Sequence, residues 1–125
     1  MTLITSPVAT AVLDCAMQVH RTLGPGMFES VYDRCIAHEL TKAGLSFVRQ
    51  FPVPVIYDGI EVGIGFRADF IVEREVLVDI KSVERLLPVH HTQVLTYLRC
   101  CGLKKGFLIN FNTPLLKTGI KSVVL

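Results

Sequence analysis

The sequence lacks the long apolar run that would anchor a chain in a membrane. Half of its 125 residues are apolar, yet no apolar run approaches the roughly 18 residues of a membrane span. Residues 1–15 also lack the basic stretch that opens a secretory signal. We therefore expect a cytoplasmic protein that has no membrane partner.

A Cys-x-x-Cys pair is also missing. The four cysteines are Cys15, Cys35, Cys100 and Cys101, and the adjacent pair is poorly placed to chelate zinc. Cys15 and Cys35 fall on apolar faces of predicted helices. The pattern predicts reduced core cysteines of a cytosolic protein and no zinc site.

The chain has little net charge. Its formal charge is only +2, so composition alone does not indicate a protein that binds nucleic acid. Acidic residues stop at Glu84, however, and the last third of the chain is basic. That third carries Lys104, Lys105, Lys117 and Lys121.

Chain length and mean hydropathy indicate the number of domains and the oligomeric state. A chain of 125 residues predicts one domain, residues 1–125, with a core of its own. The mean hydropathy of +0.48 is high for a protein without a membrane span. The surplus apolar surface predicts a homodimer, in which a subunit interface buries it.

Hydrophobic periodicity and turn residues predict an α/β protein with the order α-α-β-β-β-α-β-β. Ser6 and Pro7 open the first helix as cap and first helical residue, and Asp58-Gly59 is a hairpin signal. Gly63 and Gly65 indicate a bulge in a strand. Helices are predicted at 7–23, 28–43 and 88–101, and strands at 46–57, 60–72, 76–82, 105–110 and 120–124.

Two acids and a lysine stand out in the central strands. Asp69 lies in one predicted strand, and Asp79 and Lys81 lie in the next. A hairpin centred on Arg74 would place the two carboxylates directly opposite each other. Two like charges in that position destabilise a sheet, and a bound cation removes the repulsion. Strand alternation places Lys81 on the same face as Asp79.

These residue types suit metal-assisted phosphodiester cleavage. Magnesium takes one or two carboxylates together with phosphate and water, and a lysine can stabilise developing negative charge or act on the attacking water. A surface hairpin with unrelated acids is the alternative interpretation. A two-residue loop would also place the acids on opposite faces.

A second candidate motif opens the second helix. Glu29 and Tyr32 are three residues apart and share one helix face. The functional interpretation is a third carboxylate directed at the metal. The structural alternative is that Glu29 interacts favourably with the helix dipole in the first turn.

A third candidate motif lies on the third helix. His90, Gln93 and Tyr97 follow the spacing of one helical stripe and could line a cleft that binds phosphate. The alternative is a solvated helix start followed by a half-buried tyrosine.

Together these motifs resemble the GxxExxY protein family, a branch of the PD-(D/E)xK nuclease superfamily. The naming residues are Gly26, Glu29 and Tyr32, within HRTLGPGMFESVY. Further matching segments are FRADFIVEREVLVDIKSVERL, PVHHTQVLTYL and GFLINF. The similarity runs from about Val8 to Val124.

The resemblance implies a restriction-endonuclease-like core, in which helices flank a central mixed β-sheet. It makes Asp69 the first acid of the superfamily signature, Asp79 the second acid and Lys81 its lysine. Two positions depart from the usual pattern: Asp79 replaces the more common glutamate, and Ala68 precedes Asp69 where proline is usual.

The resemblance also extends to the flanking motifs. Glu29 is similar to the first-helix glutamate of the exonuclease-like and resolvase-like branches, and Gln93 and Tyr97 are similar to a Q-x-x-x-Y motif.

The expected function is hydrolysis of phosphodiester bonds in nucleic acid, with DNA favoured over RNA. The resemblance implies that Asp69, Asp79, Glu29 and the backbone carbonyl of Ile80 hold one or two Mg²⁺ (or Mn²⁺) ions. Lys81 would assist the attacking water.

The remaining residues of the expected site would contact the substrate. Gln93 and Tyr97 would position the lysine or a phosphate, and His90 would contribute to substrate binding. Two other functions stay open: a non-catalytic module that binds nucleic acid or protein, and a dimer that resolves DNA junctions.

Overall fold

The predicted order of elements is confirmed, with one short helix added. A computed structural model describes residues 6–125. Its elements are α1 (Pro7–Leu23), α2 (Glu29–Lys42), β1 (Phe47–Tyr57), β2 (Ile60–Val72), β3 (Val76–Lys81), α3 (Pro88–Cys101), β4 (Lys105–Asn110), α4 (Leu116–Gly119) and β5 (Ile120–Val124). Helix α4 was not predicted, because four residues are too few to show a helical period.

The five strands form one mixed sheet in the order β1-β2-β3-β4-β5. Strands β3 and β4 are parallel, and the other neighbouring pairs are antiparallel. Alternate residues of β3 and β4 pack on opposite faces: one face buries α1 and α2, and the other buries α3. The predicted mixed sheet between helices is therefore confirmed.

The hairpin of β2 and β3 has the predicted register. Phe70 pairs with Val78 and Val72 pairs with Val76, which centres the turn on Arg74. Glu73 and Arg74 both adopt left-handed backbone conformations, with φ of 53° and 54°. These conformations give the tight turn the twist that antiparallel strands require.

The predicted bulge in β2 is also present. Val53 pairs with Phe66, but Pro54 pairs with Ile64, so Gly65 is the extra residue. A Cβ atom at Gly65 would lie 2.3 Å from Cγ2 of Val55. Any larger residue at this position would force the Val55 side chain to move.

The turn before α2 is anchored on two sides. Tyr32 is fully buried; its hydroxyl donates to the carbonyl of Gly24 (2.6 Å) and accepts from the amide of Met27 (3.1 Å). Its ring stacks on Phe111 at 4.5 Å. On the other side, the hydroxyl of Ser82 donates to the carbonyl of Met27 (2.7 Å). The turn therefore joins α2 to the end of β3.

The cysteines agree only partly with the sequence prediction. All four are free thiols, but only Cys15 is buried and Cys100 is exposed. The prediction of core cysteines is wrong for Cys100; Cys35 and Cys101 are half-buried and pack against the core.

Within residues 6–125, no helix has both the length and the apolar character needed to span a bilayer.

The anchored turn gives a stability prediction. Tyr32→Phe keeps the stacking on Phe111 but leaves the Gly24 carbonyl and the Met27 amide without their partner. We expect the free energy of unfolding to fall by about 1–2 kcal/mol, measured by urea denaturation. Thr41→Val is the control, since the exposed Thr41 hydroxyl donates only to the Ala37 carbonyl of its own helix; equal effects of the two changes would contradict the anchoring role.

Candidate active site

Asp69 lies where β2 and β3 separate. The paired ladder ends at Phe70 and Val78. Asp69 is the next residue of β2 beyond the ladder, and its Oδ2 accepts a hydrogen bond of 2.7 Å from the amide of Ile80, two residues beyond Val78. A side-chain carboxylate thus takes the place of a backbone acceptor, and the strands separate around it. The resulting fork presents Asp69 and Asp79 to the same space.

Asp79 is a buried carboxylate with an unsatisfied oxygen. It is 7% exposed, and Nζ of Lys81 lies 3.3 Å from its Oδ2. Among residues 6–125 this ion pair is the main contact of Oδ2, and no well-aligned hydrogen-bond donor accompanies it. Buried polar atoms are nearly always satisfied. An anionic oxygen left in this state is suited to bind a cation.

The carboxylates repel one another. Burial and the charges of Asp79 and Asp33 raise the pKa of Asp69 to about 6, in spite of hydrogen bonds from Ile80 and Gln50. Burial also raises the pKa of Asp79, against the lowering effect of Lys81. The folded protein therefore concentrates negative charge in a partly desolvated place.

Glu29 joins this cluster from the first position of α2. Burial raises its pKa, and the charge of Asp69 adds to the effect, while Lys81 opposes it. The helix thus brings Glu29 within electrostatic reach of both strands. Within residues 6–125, however, no three His, Cys, Asp or Glu side chains are close enough to form a ready-made metal site. The donor set at the fork is two carboxylates, which is within what magnesium needs from a protein.

Lys81 keeps its proton in this environment. Burial is the largest influence and lowers its pKa, but Asp79, Glu29 and Asp69 together outweigh burial and raise the pKa. Before any cation binds, the ammonium group is the positive partner of the carboxylates. It can donate hydrogen bonds to an anion, but it cannot accept a proton from water.

Helix α3 brings Tyr97 towards the acids. Its ring stacks on Phe66 with centroids 3.9 Å apart. Burial raises the pKa of its hydroxyl, and the charges of Asp79 and Asp69 add to this. Gln93 is half-buried one turn earlier, and within the described residues its side chain has no hydrogen-bond partner. Their contact with substrate stays a prediction.

His90 has a structural role that the sequence analysis did not foresee. Its Nδ1 accepts a hydrogen bond from the amide of Leu87 at 3.0 Å, which caps the start of α3. This bond fixes the ring at the helix entrance. Substrate binding by His90 stays a prediction, and it would use the other ring nitrogen.

Gln50, which was not among the residues predicted from the sequence, orients Asp69. Nε2 of Gln50 donates to Oδ1 of Asp69 (3.3 Å) and to Oδ2 of Asp33 (3.1 Å). Arg49 makes a salt bridge with Asp33 on its other side. Gln50 has a φ of 50°, a left-handed conformation that costs a non-glycine residue free energy.

The pairing of β1 with β2 shows why Gln50 was missed. Arg49 pairs with Phe70 and Phe51 with Ala68, which leaves Gln50 opposite Asp69. Two bulges lie between this part of the ladder and the Asp58-Gly59 turn, and each shifts the register. Counted from the turn without bulges, the residue opposite Asp69 would have been Val48. The bulge at Gly65 was predicted, but its effect on register was not counted.

A cavity of about 350 Å³ adjoins the acids. It is lined by both acidic and basic side chains from α2, β1 and β2: Glu29, Ser30, Asp33, Arg34, Arg49, Gln50 and Asp69. Two guanidinium groups beside three carboxylates suit a ligand that brings phosphate and cations together.

The raised pKa of Asp69 predicts how stability depends on pH. The folded protein holds this proton more tightly than the unfolded chain does, where the pKa is near 3.8. Without divalent metal, the free energy of unfolding should therefore fall as pH rises from about 4 to about 6. Asp69→Asn keeps an oxygen for Ile80 and removes the charge. At pH 7.5 we expect it to be more stable than wild type by roughly 1–2 kcal/mol.

Urea denaturation at pH 4.5 and 7.5 measures this difference. Asp14→Asn, at an exposed carboxylate of α1, is the matched control. An Asp69→Asn protein less stable than wild type at pH 7.5 would refute the repulsion among the acids.

The bond from Gln50 gives a second prediction. Gln50→Ala frees one oxygen of Asp69 to rotate away from the cluster. A lost hydrogen bond of about 1 kcal/mol should weaken Mg²⁺ or Mn²⁺ binding roughly fivefold by calorimetry. Gln18→Ala is the control, because Gln18 hydrogen-bonds only within α1. Equal affinities in both variants would show that Asp69 does not depend on Gln50.

The comparisons with known proteins agree with this geometry. A family model described as the PD-(D/E)XK nuclease superfamily matches residues 6–123. No curated protein and no solved structure is significantly similar to the chain. The match spans nearly all of the sequence and includes both central acids, the lysine and the helices on either side. The chain therefore belongs to the PD-(D/E)XK nuclease superfamily.

Proposed function

We propose that this protein is a metal-dependent nuclease of the GxxExxY branch, which hydrolyses phosphodiester bonds of nucleic acid, with DNA favoured over RNA. One observation carries the proposal: two partly buried carboxylates, Asp69 and Asp79, lie side by side, and Nζ of Lys81 lies 3.3 Å from Oδ2 of Asp79. Carboxylates brought together in this way repel one another, and a bound cation would offset the repulsion.

The donor set fits Mg²⁺ or Mn²⁺. Asp69 and Asp79 supply the carboxylates, the Ile80 carbonyl follows directly in β3, and Glu29 is the third acid within electrostatic reach. A divalent ion held by these residues would polarise the scissile phosphate and lower the pKa of the attacking water. Its charge would also offset the repulsion that raises the pKa of Asp69.

Lys81 supplies charge at the reacting phosphate. Its raised pKa keeps the ammonium group protonated, so it donates hydrogen bonds to the attacking water and to the negative charge that develops on the phosphate. Its contact with Asp79 holds it beside the acid pair.

The surrounding residues bind and orient the substrate. Arg34 and Arg49 line the adjacent cavity and suit phosphates next to the scissile one. On the opposite side, Tyr97 and Gln93 present a hydroxyl and an amide from α3. His90 stands at the entrance of the same helix.

Two further properties belong to the proposal. We infer that the protein works in the cytoplasm, where free thiols such as those observed persist. We also infer that it acts as a homodimer, because large apolar side chains such as Ile56 and Ile60 are exposed and a subunit interface would bury them.

Cleavage assays test the site directly. Asp79→Ala and Lys81→Ala should each lower the rate of divalent-dependent cleavage by about 10²-fold or more. Lys117→Ala, at an exposed lysine of α4, is the control and should cleave like wild type. The substrates are linear duplex DNA, single-stranded DNA, RNA and a four-way junction. Cleavage unchanged in both site variants would remove these residues from the mechanism.

Calorimetry separates the catalytic proposal from its alternatives. Wild-type protein should bind Mn²⁺ or Mg²⁺ at millimolar concentration or below, and Asp79→Ala should not. Absence of binding in the wild type, together with retained binding of nucleic acid, would identify a non-catalytic module. A preference for the four-way junction over linear duplex would identify a junction-resolving enzyme.

A further inference from the structure

The far half of the first hairpin is apolar and exposed. We call residues 55–64 the hairpin arm. Five of its large side chains are more than half exposed: Ile56 (61%), Tyr57 (73%), Ile60 (63%), Val62 (62%) and Ile64 (56%). Burial falls along β1 from Val53, which is in the core, to Tyr57 at the tip. The arm therefore extends beyond the helices that cover the rest of the sheet.

Both faces of the arm are apolar. Tyr57 pairs with Ile60, and three steps further along the ladder Pro54 pairs with Ile64. Successive pairs alternate between the two faces, so these two pairs lie on opposite faces. A two-stranded ribbon is marginally stable in water unless a face is buried. Contiguous exposed apolar surface of this kind marks an interface.

The charges of the arm exclude nucleic acid as its partner. The arm contains Asp58 and Glu61 and no lysine or arginine, so it would repel phosphates. Strand addition along the outer edge of β1 is also disfavoured, because Pro52 and Pro54 lack the amide hydrogens that a new strand would need. What remains for contact is the tip and the two faces.

The same chain carries a matching concave surface. A cavity of about 450 Å³ lies between the sheet and the end of α3, lined by apolar side chains that include Phe51, Ile71, Cys101 and Leu103. Arg74 also lines it and is exposed. Among residues 6–125, Arg74 has no carboxylate within salt-bridge distance. An apolar cavity with an unpaired cation suits an apolar arm with acidic residues.

We propose that the hairpin arm of one copy docks in the apolar cavity of a second copy, and the reverse. The proposal gives a surface to the homodimer inferred above, but it does not depend on the chemistry of the acids. A twofold axis makes the two contacts identical. Arm and cavity together supply about 20 residues from each copy, the lower end of what a stable interface uses.

Sedimentation velocity over a concentration series tests the dimer. Wild-type protein should dimerise, and Tyr57→Ser combined with Ile60→Ser should raise the dissociation constant at least tenfold. Leu103→Asp, in the cavity, should do the same. Leu115→Ser is the matched control, since Leu115 is 68% exposed and lies outside both surfaces. A wild-type monomer at every concentration up to about 100 µM, a range typical of weak dimers, would overturn the proposal.

Disulfide trapping tests the arrangement within the dimer. Cys100 and Cys101 line the cavity, so Tyr57→Cys should form a covalent dimer with them under mild oxidation. Leu115→Cys should not. Replacing Cys100 and Cys101 by serine in the Tyr57→Cys protein should abolish the covalent dimer. If the covalent dimer still formed without Cys100 and Cys101, the two arms would be in contact with each other, and docking in the cavity would be overturned. Neither readout involves cleavage, so failure of the nuclease proposal would leave this one standing.

Discussion

The site depends on one hydrogen bond, from the amide of Ile80 to the carboxylate of Asp69. In an uninterrupted antiparallel ladder this amide would be part of the regular strand pairing. Because a side chain accepts its hydrogen instead, β2 and β3 separate just where the two acids lie. The interruption of the sheet and the formation of the site are therefore one structural event. A longer ladder would have made a more regular sheet with no space between the acids.

The folded protein holds three carboxyl groups close together although their charges repel one another. Burial of Asp69, Asp79 and Glu29 near one another raises the pKa of each carboxyl group, and Gln50 holds Asp69 from a strained backbone conformation. The apolar packing on both faces of the sheet offsets this destabilisation. Functional sites commonly store unfavourable free energy of this kind. The stability of the core and the reactivity of the cluster are thus opposing demands on one small fold.

Local sequence signals predicted most of the fold, because its turns and helix ends use residues with strong conformational preferences. The Arg74-centred register followed from the short polar break between two strands, and the helix starts followed from Ser6-Pro7 and Pro88. What could not be predicted depends on contacts distant in sequence. Gln50 reaches Asp69 only after two bulges shift a register, and Tyr32 is a buried clamp on a turn, although its spacing from Glu29 indicated only a shared helix face.

The clamp on that turn has a consequence for how the site meets a cation. Tyr32 binds the amide of Met27 and Ser82 binds its carbonyl, so the segment leading to Glu29 has few conformations left to lose. Ordering a loop is a large part of what ligand binding costs. In this protein the turn before α2 already loses that conformational entropy when the chain folds. The affinity of the site for a metal ion is then governed by charge and desolvation, and should change little with temperature-dependent loop motion.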